Sequence, residues 1–317
     1  MRTLMASVLA LLLATAPAFA ARTQKKPEFA TAAAIMAWMQ GYRAHPDPDK
    51  VPDVVRAMSD LNVFKDLDTA GIYIGFTAGV IGANSRQADK LIARMFPLPP
   101  EDQVLVVRAI AYSGLPNWKQ VLTSFSERMP ARTVLIQRYL DGKLPTLGKL
   151  PLDNGSAGLD TLWGYYLATG SFEPVARMIS ILSWSQNKDN VERLTVGSMA
   201  KWTLAANATR DKELLDMLKS ALAYETKTTQ PILREVIEAA ETFEISKIRK
   251  DAIAAIDQVK AKGPETARNY AWWGQAGQTA LALGCVAAGA LGHMEVGLPC
   301  VLGGAASSAA LKYLAPQ

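Results

Sequence analysis

Apolar residues in this chain return at intervals of three and four, and that spacing excludes most architectures at once. Val121, Leu122, Phe125 and Met129 form one stripe, and Val175, Met178, Ile179 and Leu182 a second. Leu214, Leu215, Leu218 and Leu222 form a third, and a longer fourth runs through Ile245, Ile248, Ile256 and Val259. One face of an α-helix repeats about every 3.6 residues, so each stripe reads as a helix with one buried side. The strand signature, apolar at every second residue, is nearly absent. The predicted fold class is all-α. Half of the residues are hydrophobic, which supplies a large core and excludes global disorder.

Turn-forming residues punctuate the stripes. Breaks fall at Ala83-Asn84, Ser113-Gly114, Thr169-Gly170, Ala206-Asn207 and, less clearly, Ala240-Glu241. Glycine and asparagine close helices in the left-handed conformation, so each break predicts a helix-turn-helix unit. The second residues of successive breaks stand 30, 56, 37 and 34 positions apart. The longest interval contains Asp141 to Gly158, a Gly/Pro-rich stretch that reads as the longest loop. The other intervals sit near the period of stacked helical hairpins.

From Tyr166 to Val175 the sequence resembles a tetratricopeptide repeat. That family carries an aromatic residue, a glycine four positions on and a second aromatic two beyond, and Tyr166, Gly170 and Phe172 match in turn. Val175 is larger than the small residue expected there. The resemblance covers this hairpin well and the other units only in their turns and second-helix stripes. It implies a helical-repeat body over residues 21–265, an α-solenoid of stacked hairpins whose concave face takes another protein or an extended peptide. No binding residue transfers from the family. An irregular helical bundle with evenly spaced turns is the competing reading.

The two ends are different material. Arg2, the apolar run Leu4 to Ala14 and the small-x-small site Ala18-Phe19-Ala20 make residues 1–20 a secretory signal peptide. The run is shorter than the roughly 20 residues a bilayer span needs. The expected destination is the periplasm or cell envelope. Residues 266–317 read as a small-residue helical hairpin. From Ala271 onward the only charged residues are Glu295 and Lys312, and Ala276, Ala280, Gly284, Ala288 and Gly292 recur at every fourth position. On a helix they would share one face and admit another backbone closely. Cys285 and Cys300, the only cysteines, are expected to pair in an oxidising compartment. The loop so closed would contribute roughly 3 kcal/mol in the chain-entropy picture. Packing on the body and membrane contact through residues 271–314 both remain open for this segment.

Signatures of chemistry are sparse. The net charge of +5 comes from interspersed residues of both signs, which points away from a nucleic-acid partner. Of the two histidines, His45 lies in a Pro/Asp loop and His293 in the C-terminal turn. Neither has the flanking groups of a catalytic triad, and no metal or cofactor motif is present. Ser198-x-x-Lys201 has the spacing of penicillin-recognising serine enzymes, but the other elements of that pattern are missing. The aromatic residues Trp163, Tyr166, Trp184 and Trp202 are the better lead, because stacked hairpins would let them line a groove. The expected function is a non-enzymatic interaction protein of the envelope. The alternatives are a membrane-associated structural protein and a hydrolase using Ser198 and Lys201.

Overall fold

The computed structural model describes residues 28–255, apart from 66–69, 154, 188, 244–246, 249 and 252–253. The expected signal peptide, the expected hairpin over 266–317, the expected Cys285–Cys300 pairing and the expected membrane contact through 271–314 all fall outside the described residues. Within them the protein is all-helical, with no strand. Seven α-helices precede the long loop: α1 (Ala32–Gly41), α2 (Val51–Asp60), α3 (Gly71–Ala83), α4 (Ala88–Met95), α5 (Gln103–Tyr112), α6 (Trp118–Ser124) and α7 (Thr133–Leu140). Five follow it: α8 (Ala157–Thr169), α9 (Phe172–Ser180), α10 (Val191–Ala208), α11 (Lys212–Ala221) and α12 (Gln230–Thr242).

The core is organised by α3. Every residue from Gly71 to Ile81 is buried, so until its last two residues this helix has no solvent face and no amphipathic stripe. It can be enclosed because glycine opens one side of it to another backbone. A Cβ on Gly75 would run into the Thr161 carbonyl of α8, and one on Gly164 of α8 would run into the Ile72 carbonyl of α3. Gly82, at the other end of α3, abuts the Ser113 carbonyl in the same way. The α3–α8 contact joins helices that four others separate along the chain. In a solenoid each repeat touches only its neighbours, so this pair gives the first half of the protein the character of a bundle. Beyond α8, contacts stay among near neighbours: α8 with α9, α10 with α11, α11 with α12 and, more extensively than either of the last two, α10 with α12.

The stripes at 121–129 and 175–182 are buried throughout, and Leu214 and Leu218 carry the third. Three of the expected breaks close helices: Asn84 caps α3, while Gly114 (φ +75°) and Gly170 (φ +65°) adopt the left-handed conformation. Two are displaced. Asn207 lies in the last turn of α10, where its amide donates to the Thr203 carbonyl at 2.8 Å. The break comes later, at Thr209 to Asp211. Ala240 and Glu241 belong to α12, which closes at Phe243, a left-handed residue without a glycine. The Gly/Pro-rich stretch is a loop up to α8, and Arg177 of α9 tacks it down by donating to the Leu147 and Leu150 carbonyls.

Candidate functional site

The turn that matches the repeat motif places one large apolar side chain in solvent. Gly170 ends α8, Ser171 accepts from the Glu173 amide to cap α9, and Phe172 opens that helix 45% exposed. Across from it, α11 buries Leu214, Leu218 and Ala221 and turns Lys212, Glu213, Asp216 and Ser220 outward. The chain then makes a short 3₁₀ turn ending at Tyr224, which is 90% exposed. Together with Met217 and Ala221 these residues line a cleft of about 690 Å³. Glu213, Asp216 or Met217, Ser220 and Tyr224 recur at three- and four-residue steps, so a single helix face supplies one wall.

A polar cluster fixes the end of the cleft nearest α8. Arg43, just after α1, lies over the Tyr166 ring at 4.5 Å and donates to the Tyr166 hydroxyl at 3.1 Å. It also donates to Glu213 at 2.9 Å and pairs with Asp211. The Tyr166 hydroxyl donates to Asp211 Oδ2 at 2.7 Å, while Asp211 Oδ1 accepts from the Leu214 amide at 3.0 Å and so caps α11. Burial, reinforced by the bond to Asp211, drives the Tyr166 hydroxyl far above the ordinary tyrosine range, so it stays a donor. For Arg43, burial opposes the charge, but Tyr166, Asp211 and Glu213 outweigh it and hold the guanidinium protonated more firmly than usual. Three helices distant in sequence thus meet at one carboxylate. The arrangement positions α11; it places no nucleophile beside a base.

Of the four aromatic residues singled out in the sequence, Tyr166 reaches this site, through its hydroxyl and ring contact with Arg43, and the three tryptophans do not line it. Trp163 and Tyr166 are buried, with their rings stacked at 4.9 Å. Trp184 and Trp202 are half-buried against the core, and the Arg193 guanidinium lies 5.1 Å from the Trp184 ring. Inward packing satisfies the large apolar area of a tryptophan better than a groove wall does. Ser198 is buried in α10, and the Lys201 amine donates to Glu235 at 2.7 Å. An amine held by a carboxylate does not serve the serine as a base. Among the described residues no cluster of three His, Cys, Asp or Glu side chains is placed to hold a metal ion.

Phe172, Tyr224 and Arg43 are the residues that sequence reasoning missed. Phe172 stands three positions before Val175, in register with a buried stripe, and only its place in the first turn leaves it outside. Tyr224 carries no periodic signal. Comparison with protein-family models, curated proteins and solved structures found no match for the chain.

Proposed function

We propose that the protein is a non-enzymatic interaction module of the bacterial cell envelope that holds another protein or a peptide in the cleft between α9 and α11. The observation that carries this reading is the convergence of exposed apolar side chains. Among the described residues, Leu61, Val134, Phe172, Tyr224 and Phe243 stand out of the surface, and Phe172 and Tyr224 flank the same cleft. Aromatic residues of this kind are the anchors of binding hot spots. In the same reading, α8 to α12 are hairpins stacked in tetratricopeptide fashion, supported by the Gly170 turn and by contacts confined to near neighbours, α10 with both α11 and α12 among them. Envelope location rests on the signal-like residues 1–20.

The test places a photoreactive benzoylphenylalanine at position 224, and separately at the exposed control Val134, in full-length protein within envelope fractions. The expected result is an adduct with a second protein at 224, absent at 134 and lost when Phe172→Asp is added. Equal labelling at both positions, or insensitivity to Phe172→Asp, would refute the docking reading. The membrane-associated alternative predicts instead that the chain leaves the membrane fraction only in detergent. No described helix is long and apolar enough to cross a membrane, so that alternative rests on residues 271–314.

A further inference from the structure

We propose that the surface around α7 rests on an anionic membrane, with Val134 entering the headgroup layer and Arg128, Arg132, Arg138 and Lys119 meeting lipid phosphates. The inference is separate from the α9–α11 cleft and stands whatever that cleft holds.

Charge is the first argument. Residues 84–150 carry ten lysines and arginines against five aspartates and glutamates, an excess equal to the net charge of the whole chain. The interspersion seen along the sequence thus hides one basic region, which runs from α4 to α7. Part of it is neutralised: Lys90 and Arg94 share Asp49, and Lys143 pairs with Asp141. Arg128, Arg132 and Arg138 pair with no carboxylate among the described residues. Arg128 lies over the Phe96 and Phe125 rings and donates to the Ala93 carbonyl at 3.4 Å, while Arg132 donates to the Pro100 carbonyl at 2.8 Å. Those contacts fix the two guanidinium groups and leave their charge free for an anion.

Placement is the second. α7 has eight residues, so it is only about 12 Å long. Arg132 is its N-cap and Arg138 stands in its last turn. Lys119 donates to the Leu140 carbonyl at 2.7 Å, which brings a fourth cation to the far end of the helix. Val134, in the first turn, is 77% exposed, and Arg138 follows four positions on, on the same helix face. Cations thus stand at both ends of one short helix, with an apolar side chain between them.

The occupant follows from what the surface lacks. Among the described residues of α4 to α7, Val134 is the one large hydrophobic side chain that stands exposed. A single aliphatic residue without an aromatic anchor gives a protein partner little to grip. A bilayer needs no matching shape: its phosphates suit the planar guanidinium fork, and its interface accepts an apolar side chain set among cations. Attachment of this kind lies on the membrane and does not span it.

The experiment takes protein purified from envelope fractions and measures its sedimentation with phosphatidylglycerol and with phosphatidylcholine vesicles. The expected result is binding to the first and little to the second. That binding should be lost between about 0.1 and about 1 M salt, as the screening length falls from about 10 to about 3 Å. Arg138 makes no hydrogen bond or ion pair among the described residues, so Arg138→Gln should leave the fold alone. It should weaken binding roughly fivefold, the share of one cation near a charged surface. Val134→Trp, at an exposed position, should tighten binding severalfold, because tryptophan favours the interface. Binding that survives about 1 M salt, or that neither variant changes, would mean another segment holds the membrane, and would overturn the proposal. Absence of binding to phosphatidylglycerol would overturn it as well. So would a second-protein adduct from benzoylphenylalanine at 134 in envelope fractions, which would give this surface to an acidic protein instead.

Discussion

The α3–α8 pair and the α9–α11 cleft solve opposite problems with the same kind of helix. α3 is apolar on all sides, and the protein encloses it from Gly71 to Ile81 by letting a glycine face meet another backbone. α11 is apolar on one side only, and its other side, with Phe172 and Tyr224 beside it, remains in contact with solvent. Burial of α3 leaves no freedom to vary, because each glycine on the contact face stands against atoms of a neighbouring helix that are fixed in place. The cleft is made of side chains that touch little. The comparison teaches that stability and recognition have been separated in this molecule: side chains essential to the first are absent from the second.

The sharpest way to break that separation is at Gly75. Gly75→Leu forces a side chain into the Thr161 carbonyl, where neither backbone can yield. Overpacking typically costs about 1–3 kcal/mol where neighbours can shift, and more is expected here, with loss of cooperative melting followed by circular dichroism. Gly41, in α1, has open space for 4 Å around the point where a Cβ would stand, so Gly41→Ala should leave the melt essentially unchanged.

Asp160 comes next, in α8 beside Gly71. Burial pushes its carboxyl up to about 7, with a bond from Ser156 working the other way. Between about pH 4 and that value the folded protein keeps a proton that the unfolded chain has released, so stability falls as pH rises through this window. Asp160→Asn should flatten that slope. The variant should gain on the order of 2–4 kcal/mol at pH 8 and little at pH 4, where both forms are neutral. Denaturant titration at the two pH values checks it, and an equal effect at both would show that the carboxyl is ionised in the fold.

At the boundary of the two regions, Arg43→Ala removes the cation that Asp211, Tyr166 and Glu213 share. A loss of about 1–3 kcal/mol in denaturant melts is expected, the cost of orphaning partly buried polar groups. Arg43→Lys should recover only part of it, since an ammonium lacks the planar fork and the ring contact. The smallest effect belongs to the cleft. Phe172→Asp and Tyr224→Ser should each change stability by roughly 0.5 kcal/mol or less, although Phe172→Asp removes the adduct formed from position 224. A large drop in melting temperature for either would show that the cleft wall is part of the core.

The fold class was legible because most helices here are amphipathic, and stripes such as Val175, Met178, Ile179 and Leu182 report their buried side directly. α3 evades that signal, since a helix buried all round has no stripe. Its information lies in Gly71, Gly75 and Gly79, four apart, the same pattern that stands out more plainly from Ala276 to Gly292. Asn207 misplaced a helix end because its amide finds a carbonyl within the helix as readily as a turn. The displaced start of α11 is marked by Asp211, a capping residue that could have been read locally. The clamp itself could not. Arg43 and Asp211 are 168 positions apart, and nothing near either one names the other. Trp163 and Tyr166 are buried, and nothing local to them announces it, because aromatic residues that would suit a binding groove are equally suited to a core.

The enclosure of α3 also sets a timetable. Its partner α8 lies far downstream, so a chain emerging from its N-terminus can pack α5 on α3 but must hold the glycine face of that apolar helix uncovered while α6, α7 and the long loop are made. Non-local pairing of this kind slows folding and prolongs the exposure of aggregation-prone surface. Chains halted before Ala157 should therefore clump or recruit chaperones, and chains halted after Thr169 should not, which a series of stalled nascent chains would reveal. The glycines that make the finished core so tight thus leave one face of the unfinished one without shelter until α8 arrives.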